Sequence, residues 1–158
     1  MGVFAYSPLS EWNKQALTIL EERMNKQLRA ELIHRAVDAK KTSYSPYSKF
    51  RVGASVLTSD GEIFSGCNVE NASYGLAICA ERNAIFQAAY AGKRKIVAVA
   101  VNSDEKSFLT PCGACRQVIS EFADGKTEII LISADGRTRS VKFKAIFPTP
   151  PALEKLKK

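Results

Sequence analysis

Three cysteines and a glutamate stand in two short segments whose composition suits metal chemistry. The segments are Cys79-Ala80-Glu81 and Pro111-Cys112-Gly113-Ala114-Cys115-Arg116. Cys112 and Cys115 are three residues apart, so both fall on one face of a helical turn. Each segment begins a predicted helix, where the positive end of the helix dipole lowers the pKa of a cysteine and favours its thiolate.

If the two helix starts converge, the sulfurs of Cys79, Cys112 and Cys115 meet in one site. Three protein ligands with one open position are typical of catalytic zinc, whereas structural zinc is closed by four. The open position would hold water, and Glu81 lies close enough to shuttle protons without being a ligand. The pattern therefore predicts a catalytic Zn²⁺ site with Glu81 as its acid–base group.

Other interpretations of the cysteines stay open at this point. C-G-A-C alone is also typical of a thioredoxin-like redox pair, although Thr-Pro precedes it here and a third cysteine stands upstream. Cys67 is a candidate fourth ligand that would make the site structural. It lies in a predicted strand, where we expect a small buried hydrophobe instead. His34 is the only histidine, and it lies far off on the first predicted helix.

Three thiolates around Zn²⁺ leave a net charge of −1, which makes bound water less acidic unless something compensates. The two helix N-termini supply part of this compensation. Arg82 follows Glu81 and Arg116 follows Cys115, so either guanidinium is a candidate donor to a thiolate.

The elements that must hold these residues follow from hydrophobic periodicity and from turn residues. The predicted helices are 10–41, with a break within it, 79–91 and 112–122; the predicted strands are 50–57, 63–68, 96–102, 128–132 and 138–143. Helices between strands imply crossovers and a mainly parallel inner sheet. We predict a single α/β domain with a five-stranded mixed sheet and helices on both faces. Residues 1–20 form an N-terminal extension that is a candidate part of the first helix, and 21–158 form the zinc-binding domain.

The composition limits the kinds of partner. The chain has 158 residues and a net charge of +7, but residues 50–110 carry as many acidic as basic side chains. The excess charge at the two ends favours a solvated surface over a nucleic-acid footprint. The longest apolar run is Ile96–Val101, far short of the about 20 residues of a membrane helix. We see no secretory signal and expect a cytoplasmic protein without a membrane partner.

Four motifs in order resemble the small cytidine deaminases, and the resemblance runs from about Tyr44 to Pro148. The motifs are Y-S-P-Y-S-K-F-R-V-G-A from Tyr44, G-C-N-V-E-N-A-S-Y from Gly66, C-A-E-R from Cys79 and P-C-G-A-C-R from Pro111. The zinc-dependent deaminases include three-cysteine variants. The C-A-E form resembles the homotetrameric class whose zinc is held by three cysteines.

The resemblance implies the deamination of cytidine and 2′-deoxycytidine in pyrimidine salvage. It implies zinc ligation by Cys79, Cys112 and Cys115, proton transfer by Glu81, and Arg82 rather than Arg116 as the thiolate donor. The implied substrate-binding residues are Phe50, Asn68, Glu70, Ala80 and Tyr74. In the family's arrangement, Phe50 would pack on the pyrimidine ring, and Asn68 and Glu70 would bind the ribose. The backbone of Ala80 would face the base, and Tyr74 would lie toward a neighbouring subunit's site.

One departure and several rivals accompany this assignment. No aromatic residue follows Pro148, where the family often places one that caps the site, so Phe147 or a different lid is expected. The rival functions are deamination of another small cytosine compound such as a nucleoside antibiotic, editing of a polynucleotide base, and a non-enzymatic zinc or redox module.

Overall fold

The computed structural model describes the backbone of residues 11–151 and the side chains of residues 25–151. Its helices are α1 (Glu11–Lys41), α2 (Ala80–Tyr90), α3 (Gly113–Phe122) and α4 (Phe143–Ile146), and its strands are β1 (Val52–Thr58), β2 (Ile63–Cys67), β3 (Ile96–Ser103), β4 (Glu128–Ile132) and β5 (Thr138–Lys142). A short 3₁₀ helix spans Tyr74–Leu76. None of the helices in the described part of the chain combines the length and the apolar composition that a membrane span requires.

α1 runs for 31 residues without the break that the sequence predicts. The chain nevertheless divides into two compact units whose boundary falls between Ala30 and Glu31. Residues 1–10 of the predicted extension lie outside the described residues, and residues 11–20 belong to α1. The following paragraphs concern the second unit, from Glu31 onward.

The five strands form one mixed sheet in the order β2-β1-β3-β4-β5. The fold class is confirmed, but the expectation of a mainly parallel inner sheet is wrong, because only β3 and β4 pair in parallel. β1 pairs antiparallel with both β2 and β3. β2 and β3 therefore run in the same direction, as the predicted crossover through α2 requires. β1 lies between them and is antiparallel to both.

Helices cover both faces of the sheet, and the alternation of side chains along β3 serves both. Val99 and Val101 are buried with Ile85 of α2 and Ile119 of α3 on one face. On the other face, Leu32 and Ala36 of α1 are buried in one cluster with four strand residues, Ala98, Ala100, Ile130 and Ile132. Successive side chains of a strand point to opposite faces, so the small residues of β3 face α1 and its larger residues face α2 and α3.

The strand directions decide where the two cysteine-bearing helices begin. α2 follows β2 in the chain, and α3 follows β3. Because β2 and β3 run in the same direction, both helices begin at the same end of the sheet. Gly61 and Gly136 adopt φ angles of 90° and 84°, which L residues rarely reach. Gly61 lies in the hairpin turn between β1 and β2, and Gly136 lies in the hairpin turn between β4 and β5.

Candidate zinc centre and active site

The sulfurs of Cys79, Cys112 and Cys115 converge where α2 and α3 begin. All three lie within 4.8 Å of one another, and the Cys79 and Cys112 sulfurs are 3.9 Å apart. A tetrahedral zinc ion with Zn–S distances of about 2.3 Å holds its sulfurs about 3.8 Å apart, so the spacing fits zinc. Among the described side chains, no other group of three potential ligands comes this close.

Local helix geometry presents these sulfurs. Cys79 and Cys112 are the N-cap residues of α2 and α3, each with an extended backbone and no side-chain cap of its own. Their carbonyls accept the first helical hydrogen bonds, from the amides of Asn83 and Arg116. Cys115 lies one turn further along α3 and is fully buried. Two helix N-termini thus direct positive dipole ends at the sulfur cluster.

Cys67 does not join this cluster. Its thiol lies 3.4 Å from the Thr42 carbonyl oxygen and is partly exposed. Our expectation of a buried hydrophobe is therefore wrong, because β2 is an edge strand of the sheet and leaves this side chain beside a surface groove.

The surroundings of the cluster shift the pKa values of Cys79 and Cys115 in opposite directions. A hydrogen bond with Cys115 lowers the pKa of Cys79 to about 5 despite partial burial, and the Arg82 guanidinium contributes in the same direction. The same hydrogen bond and burial raise the pKa of Cys115. These surroundings favour the thiolate form of Cys79, which is the form of cysteine that binds a metal ion.

The two candidate arginines point to different partners. Nη2 of Arg82 lies 3.1 Å from the Ala77 carbonyl oxygen and 3.6 Å from the Cys79 sulfur. Its Nε is buried without a partner among the described atoms, which fits a site that gains negative charge. Arg116 donates instead to oxygens, those of Pro111, Thr110 and Ile146.

Glu81 lies beside the sulfurs in the first turn of α2. It is only 4% exposed, and burial raises its pKa to about 7, with the nearby negative charge of Cys79 adding to the shift. A carboxyl group with this pKa can both accept and donate a proton near neutral pH.

Asn68 holds the segment that precedes β1. Its Oδ1 accepts from the Val52 amide at 2.8 Å and from the Ser43 hydroxyl at 2.5 Å, and its Nδ2 donates to the Phe50 carbonyl at 2.9 Å. The structure therefore brings Asn68 and half-buried Phe50 together. One N–H of the Asn68 amide group is left for another acceptor.

Glu70 holds the turn before Phe50. Its Oε2 accepts from the amides of Tyr47 and Ser48, at 2.9 and 3.2 Å, and its Oε1 accepts from the Ser48 hydroxyl. The Ser48 hydroxyl bond, with these backbone bonds, lowers the pKa of Glu70, so the carboxylate is ionised at neutral pH. One lone pair of Oε1 is left for another donor.

A cavity of about 250 Å³ adjoins this carboxylate. It is lined by Tyr47, Ser48, Glu70, Asn71, Tyr74 and Ala77. Glu70 and Tyr74 thus share one cavity, and the side chain of Tyr74 is 81% exposed at its mouth. Phe50, Asn68 and the three clustered cysteines do not line it.

Sequence reasoning assigned no role to Ser48 or Lys49, although both lie in a quoted motif. The Ser48 hydroxyl donates to the Glu70 carboxylate and accepts a hydrogen bond from the Phe50 amide at 3.0 Å, so it joins the two. Lys49 is the one non-glycine among the described residues with a positive φ, 59°. A serine followed two residues later by an aromatic carries no local signal for either feature.

The two remaining predicted positions, Ala80 and Phe147, pack against the interior. Ala80 is fully buried directly after Cys79. Phe147 packs against the core, and its ring centroid lies 5.8 Å from that of Phe143. Phe147 therefore serves the packing of the C-terminal segment.

Comparison with known proteins agrees with this geometry. The family model described as the cytidine and deoxycytidylate deaminase zinc-binding region matches residues 26–131. A cytidine deaminase of Halalkalibacterium halodurans is 44% identical over 117 residues, which cover 74% of this chain and 89% of that protein. A probable cytidine deaminase of Dictyostelium discoideum is 46% identical over 116 residues, 73% of this chain and 78% of that protein.

Solved structures show the same relation. The crystal structure of cytidine deaminase from Burkholderia pseudomallei has a TM-score of 0.73 and 44% sequence identity, covering 77% of this chain and 97% of that one. With three thiols at zinc spacing and a buried carboxyl group beside them, the chain belongs to the zinc-dependent cytidine deaminase family.

Proposed function

We propose that this protein hydrolyses cytidine and 2′-deoxycytidine to the uridine products and ammonia, as a step of pyrimidine salvage. The observation that carries the proposal is the buried Glu81 carboxyl group beside three thiols at zinc spacing. A structural four-cysteine site has no use for a buried acid–base group, and a thioredoxin-like pair has no use for a third sulfur at zinc spacing.

Cys79, Cys112 and Cys115 would hold Zn²⁺, which would supply an activated water as nucleophile. Glu81 takes a proton from the attacking water and delivers it to N3 of the pyrimidine. The C4–O bond forms, and Glu81 then takes a second proton from the new C4 hydroxyl group and passes it to the amino group. The C4–N bond breaks as the C4 carbonyl forms, and ammonia leaves. A pKa of about 7 suits Glu81 to accept and donate in turn.

The ribose is held by the two side chains that also order the segment before β1. Glu70 has one lone pair of Oε1 free beside the cavity and accepts the 3′-hydroxyl. Asn68 has one free N–H for a ribose oxygen. Phe50 packs on the pyrimidine ring, and the backbone of Ala80 faces the base next to the metal.

We infer that the enzyme works as a homotetramer in the cytoplasm. A groove of about 980 Å³ runs along edge strand β2 and the outer face of α2. Phe86 and Tyr90 line it and are 46% and 96% exposed, and exposed apolar patches of this kind favour association. Exposed Tyr74 then reaches toward a neighbouring subunit's site. Thiol ligands without disulfides suit a reducing compartment.

Light scattering coupled to size exclusion tests the assembly. The unaltered protein is expected at four times the chain mass, and Phe86→Glu is expected at a lower mass because it places a charge in the groove. A monomeric unaltered protein would contradict the inference.

The activity is tested by the ultraviolet absorbance of cytidine, which falls on conversion to uridine. Glu81→Gln should keep zinc but lose rate by at least ~10²–10⁴-fold, the usual contribution of an acid–base group. Glu31→Gln, a change at an exposed glutamate paired with Arg35 on α1, is the matched control. If no cytosine nucleoside is converted by zinc-loaded protein, the module is non-enzymatic. If only a nucleoside antibiotic is converted, the substrate assignment is wrong.

A further inference from the structure

Arg116 connects two parts of the chain that the sequence separates by about thirty residues. Its Nε donates to the Pro111 carbonyl at 2.7 Å, and its Nη1 donates to the Ile146 carbonyl at 3.0 Å. Its Nη2 donates to the Thr110 hydroxyl at 3.2 Å. One guanidinium group thus bridges the loop before α3 and the end of α4.

The bond to Pro111 bears directly on a zinc ligand. Pro111 is buried, and its carbonyl belongs to the same planar peptide as the backbone nitrogen of Cys112. A hydrogen bond that holds this carbonyl therefore also fixes the orientation of the peptide plane between Pro111 and Cys112. Cys112 itself is exposed and its side chain makes no cap hydrogen bond, so its backbone is oriented by this peptide plane and by the helix that follows.

The bond to Ile146 bears on the C-terminal segment. α4 has four residues, too few for a helix to be stable on its own. Ile146 is its last residue, where helix carbonyls lack intrahelical partners, and an arginine donor there satisfies one and complements the negative end of the dipole. The ring pair of Phe143 and Phe147 supplies the rest of the anchoring.

We propose that Arg116 is a positioning residue that couples docking of the segment 143–147 to retention of zinc by Cys112. Arg82 contacts a sulfur and acts on charge, whereas Arg116 contacts three oxygens and acts on geometry. The proposal rests on the zinc centre and not on the identity of the substrate. Its test therefore needs no turnover.

The first measurement is the rate at which the holoenzyme releases zinc to a chromogenic chelator. Arg116→Gln should release zinc ~10–100-fold faster, as is typical when a group that orients a ligand is lost. Arg116→Lys should be intermediate, because one ammonium group cannot reproduce the planar fork of donors. Arg139→Gln, a change at an exposed arginine of β5, is the control and should match the unaltered protein.

The second measurement tests the coupling by a double-mutant cycle. Phe147→Ala loosens α4 without touching the loop and should also speed zinc release. In the Arg116→Gln background it should add little, because the link is already cut. Thr110→Val removes one of the three bonds and should speed release severalfold, which keeps the test available if Arg116→Gln does not fold.

Three results would overturn the proposal. One is an unchanged release rate in folded Arg116→Gln or, if that variant does not fold, in Thr110→Val. Another is a full multiplicative effect of Phe147→Ala in both backgrounds. The last is a pH dependence of zinc release that is displaced in Arg116→Gln as far as in Arg82→Gln, which would assign Arg116 to the thiolate charge.

Discussion

Replacing Gly66 with alanine tests how closely α2 must pack on β2 for the site to work. A Cβ atom at Gly66 would lie 2.5 Å from the Ala84 amide nitrogen, 2.8 Å from the Ala80 carbonyl oxygen and 2.9 Å from Cβ of Asn83. Two of these atoms belong to the backbone of α2, so no side-chain rotation relieves the contact. Bringing the closest pair to 3.4 Å requires a displacement of about 0.9 Å between strand and helix.

That displacement moves the first turn of α2, which carries Cys79, Ala80 and Glu81. A misplacement of about 1 Å at catalytic groups can cost about 10²-fold in rate, equivalent to about 2.7 kcal/mol of transition-state stabilisation. Overpacking of this kind also lowers the free energy of unfolding by about 1–3 kcal/mol. We therefore expect Gly66→Ala to fold, to unfold at lower urea concentration, and to lose about 10²-fold in kcat/KM for cytidine.

The matched control is Gly113→Ala, at the first residue of α3 between the proposed zinc ligands Cys112 and Cys115. A Cβ there meets no atom within 4 Å, and the φ angle of Gly113 is not positive. The alanine variant should keep kcat/KM and equal or exceed the original stability, since alanine favours the helix. Zinc content measured for both variants separates misplaced chemistry from lost metal. Retention of kcat/KM within about twofold by folded, zinc-loaded Gly66→Ala would refute the reasoning.

Other consequences of the structure are open to equally direct measurement. Cys115→Ala should abolish zinc binding, whereas Cys67→Ala should keep about one zinc per chain by metal analysis; zinc loss from the latter would favour a structural site. Lys49→Gly should exceed Lys49→Ala in free energy of unfolding by about 1 kcal/mol, because a φ of 59° strains L residues, and equal stabilities would show that the strain is absent. The Arg51 guanidinium holds the pKa of Asp104 below its ordinary value. The carboxylate therefore stabilises the fold above the unfolded pKa of about 3.9, and this contribution disappears as pH falls through the folded value. The free energy of unfolding, measured with urea, should be about 1 kcal/mol lower for Asp104→Asn than for the original protein at pH 6, and the two values should converge near pH 2. A difference that stays constant with pH would contradict this reasoning. KM for cytidine, a neutral nucleoside, should change little with salt, whereas a steep salt dependence would favour a polynucleotide substrate.

Much of this protein was readable in its sequence because the decisive signals are local. A cysteine at a helix N-cap and another three residues on need only the helix to be placed correctly, so Cys112 and Cys115 fall on one turn wherever α3 lies. The same holds for Glu81, two residues after Cys79. Turn glycines and hydrophobic periodicity located all five strands within about two residues of their observed bounds.

The tertiary structure alone decided how these local pieces meet. Strand order depends on which edges pair, and no local pattern indicated that β1 lies between β2 and β3. That order sets both cysteine-bearing helices at one end of the sheet and leaves Cys67 on an edge strand. Arg82 and Arg116 each stand one residue from a key group in the sequence, yet they point to a sulfur and to backbone oxygens. The physical reason is that long side chains take their partners from neighbours in space, which only the packed fold supplies.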